Sequence, residues 1–182
     1  MQNRYSIMRN QPRSHTIGNV EYINEEWIFF DEESDEAFLL WDVVEDDFEI
    51  LYNNHWLPAR FYENHILKID NESHLLQNGE MIRVRKKLHT PYTEWLKELS
   101  DASFMALANT LQQMDYSLYD CIYCHNFLFF QPTKEPRQGV NFVIYDNEDM
   151  ICSLHHHYVR DDEVQKDIFT FTKADGRTLT IK

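Results

Sequence analysis

Thr90-Pro91-Tyr92-Thr93-Glu94-Trp95-Leu96-Lys97-Glu98-Leu99 is the stretch on which the reading of this chain turns. Thr can cap a helix, and Pro suits the first turn, where a missing N–H costs nothing. Tyr92, Trp95, Leu96 and Leu99 then recur at i, i+3, i+4 and i+7, the stripe of a helix laid on a core. A second helical pattern starts near Ser100 or Asp101, with Phe104, Leu107, Ala108 and Leu111 on one face and Met114 or Leu118 extending it. Everything before this stretch reads as short strands. The chain is therefore expected to be α+β, with a boundary at about Thr90.

Toward the N-terminus, residues 17–23 and 27–30 flank Asn24-Glu25, a hairpin spacing. Residues 37–41 form an apolar run that fits a buried strand or one helical turn, and periodicity does not separate the two. Residues 48–52 and 56–62 are joined by Asn53-Asn54-His55, and 65–69 follow Glu63-Asn64. Asn tolerates the left-handed backbone that tight turns need. Gln77-Asn78-Gly79-Glu80 then leads into residues 81–88, where Ile82 and Val84 alternate with Arg83 and Arg85. Five or six strands in this span predict a small closed or nearly closed antiparallel β-barrel over residues 16–89, preceded by an arm, residues 1–15.

Toward the C-terminus, the aromatic run 127–130 reads as a strand, followed by a loop holding Pro132 and Pro136. Residues 140–145 and 150–158 flank an acidic turn at 146–149, and 168–172 and 178–181 flank Asp175-Gly176, a strong hairpin signal. Two helices and a four- or five-stranded antiparallel meander make residues 90–182 an α+β domain.

The 182 residues carry a net charge of -14, and 14% are aromatic. Residues 1–14 hold Arg4, Arg9 and Arg13 with no acid, whereas residues 15–90 hold 17 acids against 6 bases. So acidic a surface repels phosphate backbones, which argues against general nucleic-acid or anionic-membrane binding. No apolar run has the length of a membrane span, and the N-terminus lacks the apolar core of a signal peptide. A cytoplasmic setting is expected, where three cysteines read as thiols or ligands rather than as a disulfide framework.

Those cysteines lie in two short runs, Asp120-Cys121-Ile122-Tyr123-Cys124-His125 and Cys152-Ser153-Leu154-His155-His156-His157. Thiolates and imidazoles fill a tetrahedral zinc shell, so Cys121, Cys124, Cys152 and His156, with His125, His155 and His157 as alternates, are candidate ligands. If the first run is extended, Cys121 and Cys124 point to opposite faces; a helix would instead group them with His125. A cysteine enzyme is a second option, with Cys124 or Cys121 as nucleophile, one of His155, His156 and His157 as base, and Asp120 or Asp146 as orienter. The plain alternative is that the cysteines are small buried hydrophobes. The Cys-x-x-Cys-His match to haem attachment is set aside for want of an export signal. The acidic run Asp31-Glu32-Glu33-Ser34-Asp35-Glu36 lacks the Gly and ligand spacing of a calcium loop, and the four glycines form no phosphate-binding loop.

Trp56-Leu57-Pro58-Ala59-Arg60-Phe61 and Gln77-Asn78-Gly79-Glu80-Met81-Ile82-Arg83-Val84 resemble strand-turn phrases of SH3-like small barrels, folds that commonly serve as binding modules. Over the whole chain, Val20-Glu21-Tyr22-Ile23-Asn24, residues 27–33, residues 119–126, Gly139-Val140-Asn141-Phe142 and Cys152 with its histidines resemble an uncharacterised family of small cytosolic proteins from spore-forming Gram-positive bacteria. That resemblance implies a bacterial cytosolic setting and no particular activity. The expected function is a non-catalytic interaction or regulatory protein that recognises another protein through the aromatic and acidic surface of the barrel. The alternative is a zinc-binding protein or cysteine-dependent enzyme centred on the thiol and histidine cluster.

Overall fold

A computed structural model describes residues 4–44, 47–63, 65–70, 72–132 and 136–182. The chain divides into two compact units, one of residues 15–86 and one that joins residues 1–14 to residues 87–182.

The 15–86 unit is a single antiparallel sheet of eight strands: β1 (His15–Ile23), β2 (Glu26–Asp31), β3 (Ala37–Leu39), β4 (Phe48–Tyr52), β5 (His55–Glu63), β6 (Ile66–Ile69), β7 (Glu72–Leu75) and β8 (Glu80–Arg85). Their order is β3-β2-β1-β8-β4-β5-β6-β7. Tight turns set the register. Asn24 and Glu25 (φ 52° and 68°) join β1 to β2, and Asn53 and Asn54 (φ 49° and 63°) join β4 to β5; both pairs hold the left-handed backbone of a two-residue hairpin. The expected turn at Glu63-Asn64 falls partly outside the described residues, because Asn64 is not among them.

Of the closed and nearly closed forms expected, the closed one needs correction. Among the described residues β3 and β7 are edges with a single partner each, so the sheet does not close. It curls instead. The indole N–H of Trp27 on β2 donates to His65 Nδ1 at 2.8 Å, and the rings of Trp41 and Phe61 approach to 4.4 Å. Curling lets one sheet bury Val20, Phe29, Phe48, Ile50, Leu67 and Ile82 against one another. The ambiguous run 37–41 is both of the things it fitted: β3 ends at Leu39 and a single helical turn, α2 (Leu40–Val43), begins there and buries Leu40.

The second unit begins with a short helix, α1 (Arg4–Arg9), and continues after residue 86 with α3 (Thr90–Glu98) and α4 (Asp101–Gln113). Pro91 sits in the first turn of α3, but the residue before the helix is His89 rather than Thr90. Ser100 caps α4 by accepting from the Ser103 amide. A five-stranded antiparallel meander follows: β9 (Cys121–His125), β10 (Arg137–Asp146), β11 (Ile151–Arg160), β12 (Gln165–Lys173) and β13 (Thr178–Ile181), in the order β13-β12-β11-β10-β9. Tyr92, Trp95, Leu96 and Leu99 with Phe104, Leu107 and Leu111 pack on one face of it, against Val143, Leu154, Phe169 and Phe171. Burying each such side chain stabilises by about 1.5 to 3 kcal/mol at most.

The aromatic run 127–130 is not a strand. Residues 128–130 form one 3-10 turn, because Asn126 Oδ1 accepts from the Phe129 amide at 3.2 Å and Asn141 Oδ1 from the Leu128 amide at 3.2 Å. Side-chain amides that satisfy backbone donors locally favour a turn over a ladder.

The N-terminal arginines have defined partners. Arg4 donates to the Leu96 carbonyl at 3.0 Å and to the Leu99 carbonyl at the end of α3, pairs with Asp101, and lies 4.9 Å from the Phe104 ring. The last carbonyls of a helix lack intrahelical donors, so a guanidinium there satisfies them and meets the negative end of the dipole. Arg13 clamps Asp120 through Nε at 2.9 Å and a terminal nitrogen at 2.7 Å, and the Leu118 amide donates to Gln11 Oε1 at 3.0 Å. The acid-free arm is thus the counterpart of acceptors about a hundred residues away.

Candidate functional site

Strand alternation sorts the reactive side chains of the second unit onto two faces. Buried residues of β11 are Cys152, Leu154, His156, Tyr158 and Arg160, while Ile151, His155 and His157 are exposed. Of the histidine run, only His156 enters the core.

The register of β9 shifts between Ile144 and Tyr145, so that Tyr123 faces Ile144 but Cys121 faces Tyr145. A bulge of this kind adds a residue and restores the facing of the side chain beyond it. Cys121 and Cys124 therefore both turn to the core, although the strand is extended. The expectation that an extended run would part them fails because of the bulge.

Sharing a face does not bring the four candidate ligands together. Tyr145 lies between Cys121 and Cys152, being the cross-strand partner of both, and two strand spacings are about 10 Å. Cys124 faces Val143 in the next row, and His156 stands two core-facing positions beyond Cys152, about 13 Å along the strand. His125, His155 and His157 are on the opposite face. Among the described residues no group of three or more His, Cys, Asp or Glu is placed to hold a metal ion.

The surroundings of the three thiols disfavour the thiolate form. Burial raises the pKa of Cys121, with the nearby Cys124 adding to it; burial pushes Cys124 up to about 12, and it also raises Cys152. A protonated thiol is a poor nucleophile. Among the described residues neither proposed orienter is hydrogen-bonded to a histidine. Asp120 accepts from Arg13 and from the Ser117 amide, and Asp146 Oδ1 accepts from the Glu148 amide in a turn.

What surrounds His156 is a closed polar network. Its Nδ1 accepts from the Trp95 indole at 2.8 Å and faces the Asn141 amide nitrogen at 3.2 Å, so the proton belongs on Nε2, which donates to Asp167 Oδ1 at 2.7 Å. Asp167 also accepts from Ser103 Oγ and from the Arg160 guanidinium, which in turn donates to the Val159 and Lys166 carbonyls. Burial lowers the pKa of His156 against the pull of Asp167 and keeps it neutral. Burial acts to raise Asp167, but its bonds from His156, Ser103 and Arg160 outweigh that and hold it at about 2. Phe169 stacks on the imidazole at 4.7 Å. No solvent reaches His156, which suits a core ion-pair network rather than a base for an external substrate. Sequence reasoning missed Trp95, Asn141, Ser103, Arg160 and Asp167 as its partners. The alternation Leu154, His156, Tyr158 was the one local sign that this histidine faces inward.

The 15–86 unit offers an open surface. Edge strand β3 and the turn after it expose Phe38 (38%), Leu39 (38%) and Trp41 (50%). The acidic run stands directly before β3 as an ordered turn: Asp31 Oδ1 accepts from the Glu33 amide at 2.8 Å, and Ser34 Oγ from the Glu36 amide at 3.3 Å. Glu33 pairs with Lys86 at 2.9 Å, while Glu32, Asp35 and Glu36 face solvent. Asn19, Phe30, Asp31, Glu32 and Asp35 line an open depression beside it.

A family model described as "Protein of unknown function (DUF2777)" matches residues 2–182. The chain is also similar to the "Uncharacterized protein YisN" of Bacillus subtilis (strain 168), with 30% identity over 128 residues, which cover 70% of this chain and 65% of that protein. The match thus spans less than two thirds of the relative's length. No solved structure matches. Among the described residues no helix is long and apolar enough to cross a membrane.

Proposed function

From the premise that the chain belongs to the DUF2777 family, whose description assigns no activity, we propose that it is a non-catalytic interaction protein that binds an extended basic segment of a partner protein along edge strand β3. The observation that carries this reading is the edge of β3, unpaired among the described residues, with Phe38, Leu39 and Trp41 exposed directly after the acidic turn. An edge strand presents unused N–H and C=O groups to which an extended peptide can add a strand. Apolar side chains of that peptide would lie on Phe38, Leu39 and Trp41, and its Lys or Arg side chains beside Glu32, Asp35 and Glu36. Charge complementarity of this kind raises association rate and selects against acidic partners. The resemblance of residues 56–61 and 77–84 to SH3-like barrel phrases supports the same class of role, a small β scaffold serving as a binding module. The three free thiols suit a reducing compartment, and the setting is the cytoplasm.

The test is a nuclear magnetic resonance titration of the full chain with synthetic peptides in which Lys alternates with Val or Leu. Amide shifts are expected at residues 32–41, weakened by Phe38→Asp, by Glu32→Lys with Asp35→Lys, and by added salt. Shifts that map elsewhere, or an alternating Glu peptide that binds equally well, would overturn the reading.

A further inference from the structure

The outer face of the five-stranded sheet carries two exposed imidazoles in chelating register. His155 and His157 are exposed neighbours on one side of β11, separated along the strand by about 7 Å. His155 stands between Phe142 and Thr170 on the flanking strands, and His157 between Val140 and Ile168. Neither imidazole makes a hydrogen bond or ion pair among the described residues, so both keep a ring nitrogen available. β11 is the central strand, paired along its length with β10 and β12, which fixes both Cα positions. The Phe142 ring meets His155 edge-on at 5.0 Å and limits its rotation. An open depression lined in part by Gln138, Val140, Lys166 and Ile168 adjoins His157.

We propose that His155 and His157 together bind a divalent transition-metal ion on this face, with its remaining coordination positions open to the adjoining depression. Two imidazoles on one strand can converge on an ion at about 2.0 to 2.1 Å without a change of backbone. Their flanking positions hold Phe142, Thr170, Val140 and Ile168 and no carboxylate, a donor set that favours Cu2+, Ni2+ and Zn2+ over Mg2+ and Ca2+, with Cu2+ held most tightly. The site uses none of the cysteines and lies apart from the His156 network, which faces the core.

Titration of the full chain with Cu2+, followed by calorimetry and electron paramagnetic resonance, tests this. One ion per chain with nitrogen coupling is expected. His155→Gln or His157→Gln should each weaken binding roughly a hundredfold, because the second ligand on a rigid scaffold acts at high effective concentration. His125→Gln, on the same face but two strands away, should leave it unchanged, and Mg2+ should not compete. In the unmodified chain, Cu2+ should broaden the amide signals of residues 140, 155–157 and 168 before those of residues 31–36, a readout that does not depend on any variant folding. Tight binding that survives the double substitution, an unaffected single variant, or broadening centred on residues 31–36 would overturn the proposal.

Discussion

Replacing Asp167 by Asn removes one charge and almost no volume from the network around His156. In the folded chain that carboxylate accepts from the His156 imidazole, the Ser103 hydroxyl and the Arg160 guanidinium. The side chains of Arg160 and Asp167 are only 9% and 8% exposed. An amide leaves the guanidinium without a counter-charge and points an N–H2 group at one of three donors. Breaking a buried pair in this way costs roughly 3 to 5 kcal/mol, so a loss of about 3 kcal/mol is expected, or on the order of 10 °C in melting temperature for a unit of about a hundred residues.

The same substitution should change the response to acid. His156 has a folded pKa below its ordinary value, so the unfolded chain takes up its proton first and stability falls as pH drops below about 6.5. Asp167, at about 2 when folded, contributes stability above its unfolded value that is lost as pH falls from about 4 toward 2; the Asn variant should lack this second limb. The assay is urea unfolding at several pH values, followed through the indole N–H signal of Trp95, which donates to His156 and is the tryptophan outside residues 15–86. A loss under about 1 kcal/mol, or an unaltered acid limb, would refute the account of this network as an ion-paired core element.

Three further outcomes are expected. Arg13→Ala should cost about 3 kcal/mol by stranding Asp120, whose side chain is 3% exposed, and Asp120→Asn added to it should recover part of the loss in thermal melts. Gly18→Ala should destabilise the 15–86 unit by about 2 kcal/mol or more, read by hydrogen exchange, because the new Cβ would collide with the Phe30 carbonyl oxygen and lie 2.6 Å from the Phe29 ring. Alkylation of Cys124 at pH 7.5, measured by mass spectrometry, should be about a thousandfold slower than for an unstructured cysteine, since a pKa of about 12 leaves that much less thiolate.

Features set by local chemistry were legible in the sequence. The stripe Tyr92, Trp95, Leu96, Leu99 marked α3, and Asn24-Glu25, Asn53-Asn54 and Asp175-Gly176 marked turns whose backbones are in fact left-handed at Asn24, Asn53, Asn54 and Gly176. What depends on distant partners was not. Whether a curled sheet closes is decided by packing such as Trp41 on Phe61, not by strand periodicity. Residues 127–130 looked like a strand until Asn126 and Asn141 claimed their amides. The cysteine runs had the spacing of a ligand set, but a bulge in β9 and the intervening Tyr145 determine where the sulfurs go. Nothing near Arg4, Gln11 or Arg13 announced acceptors about a hundred positions on.

The attachment of residues 1–14 to the later unit has a consequence for vectorial synthesis. Domains generally fold as units while the chain is being made, N-terminal ones first. Here residues 15–86 hold every strand of their sheet once they have emerged from the ribosome, whereas Arg4 and Arg13 emerge before them and await Leu96, Asp101 and Asp120. A segment translated ahead of residues 15–86 thus finds its place only after them. Removing it would leave a nascent α3 without its terminal guanidinium and a buried Asp120 without its cation.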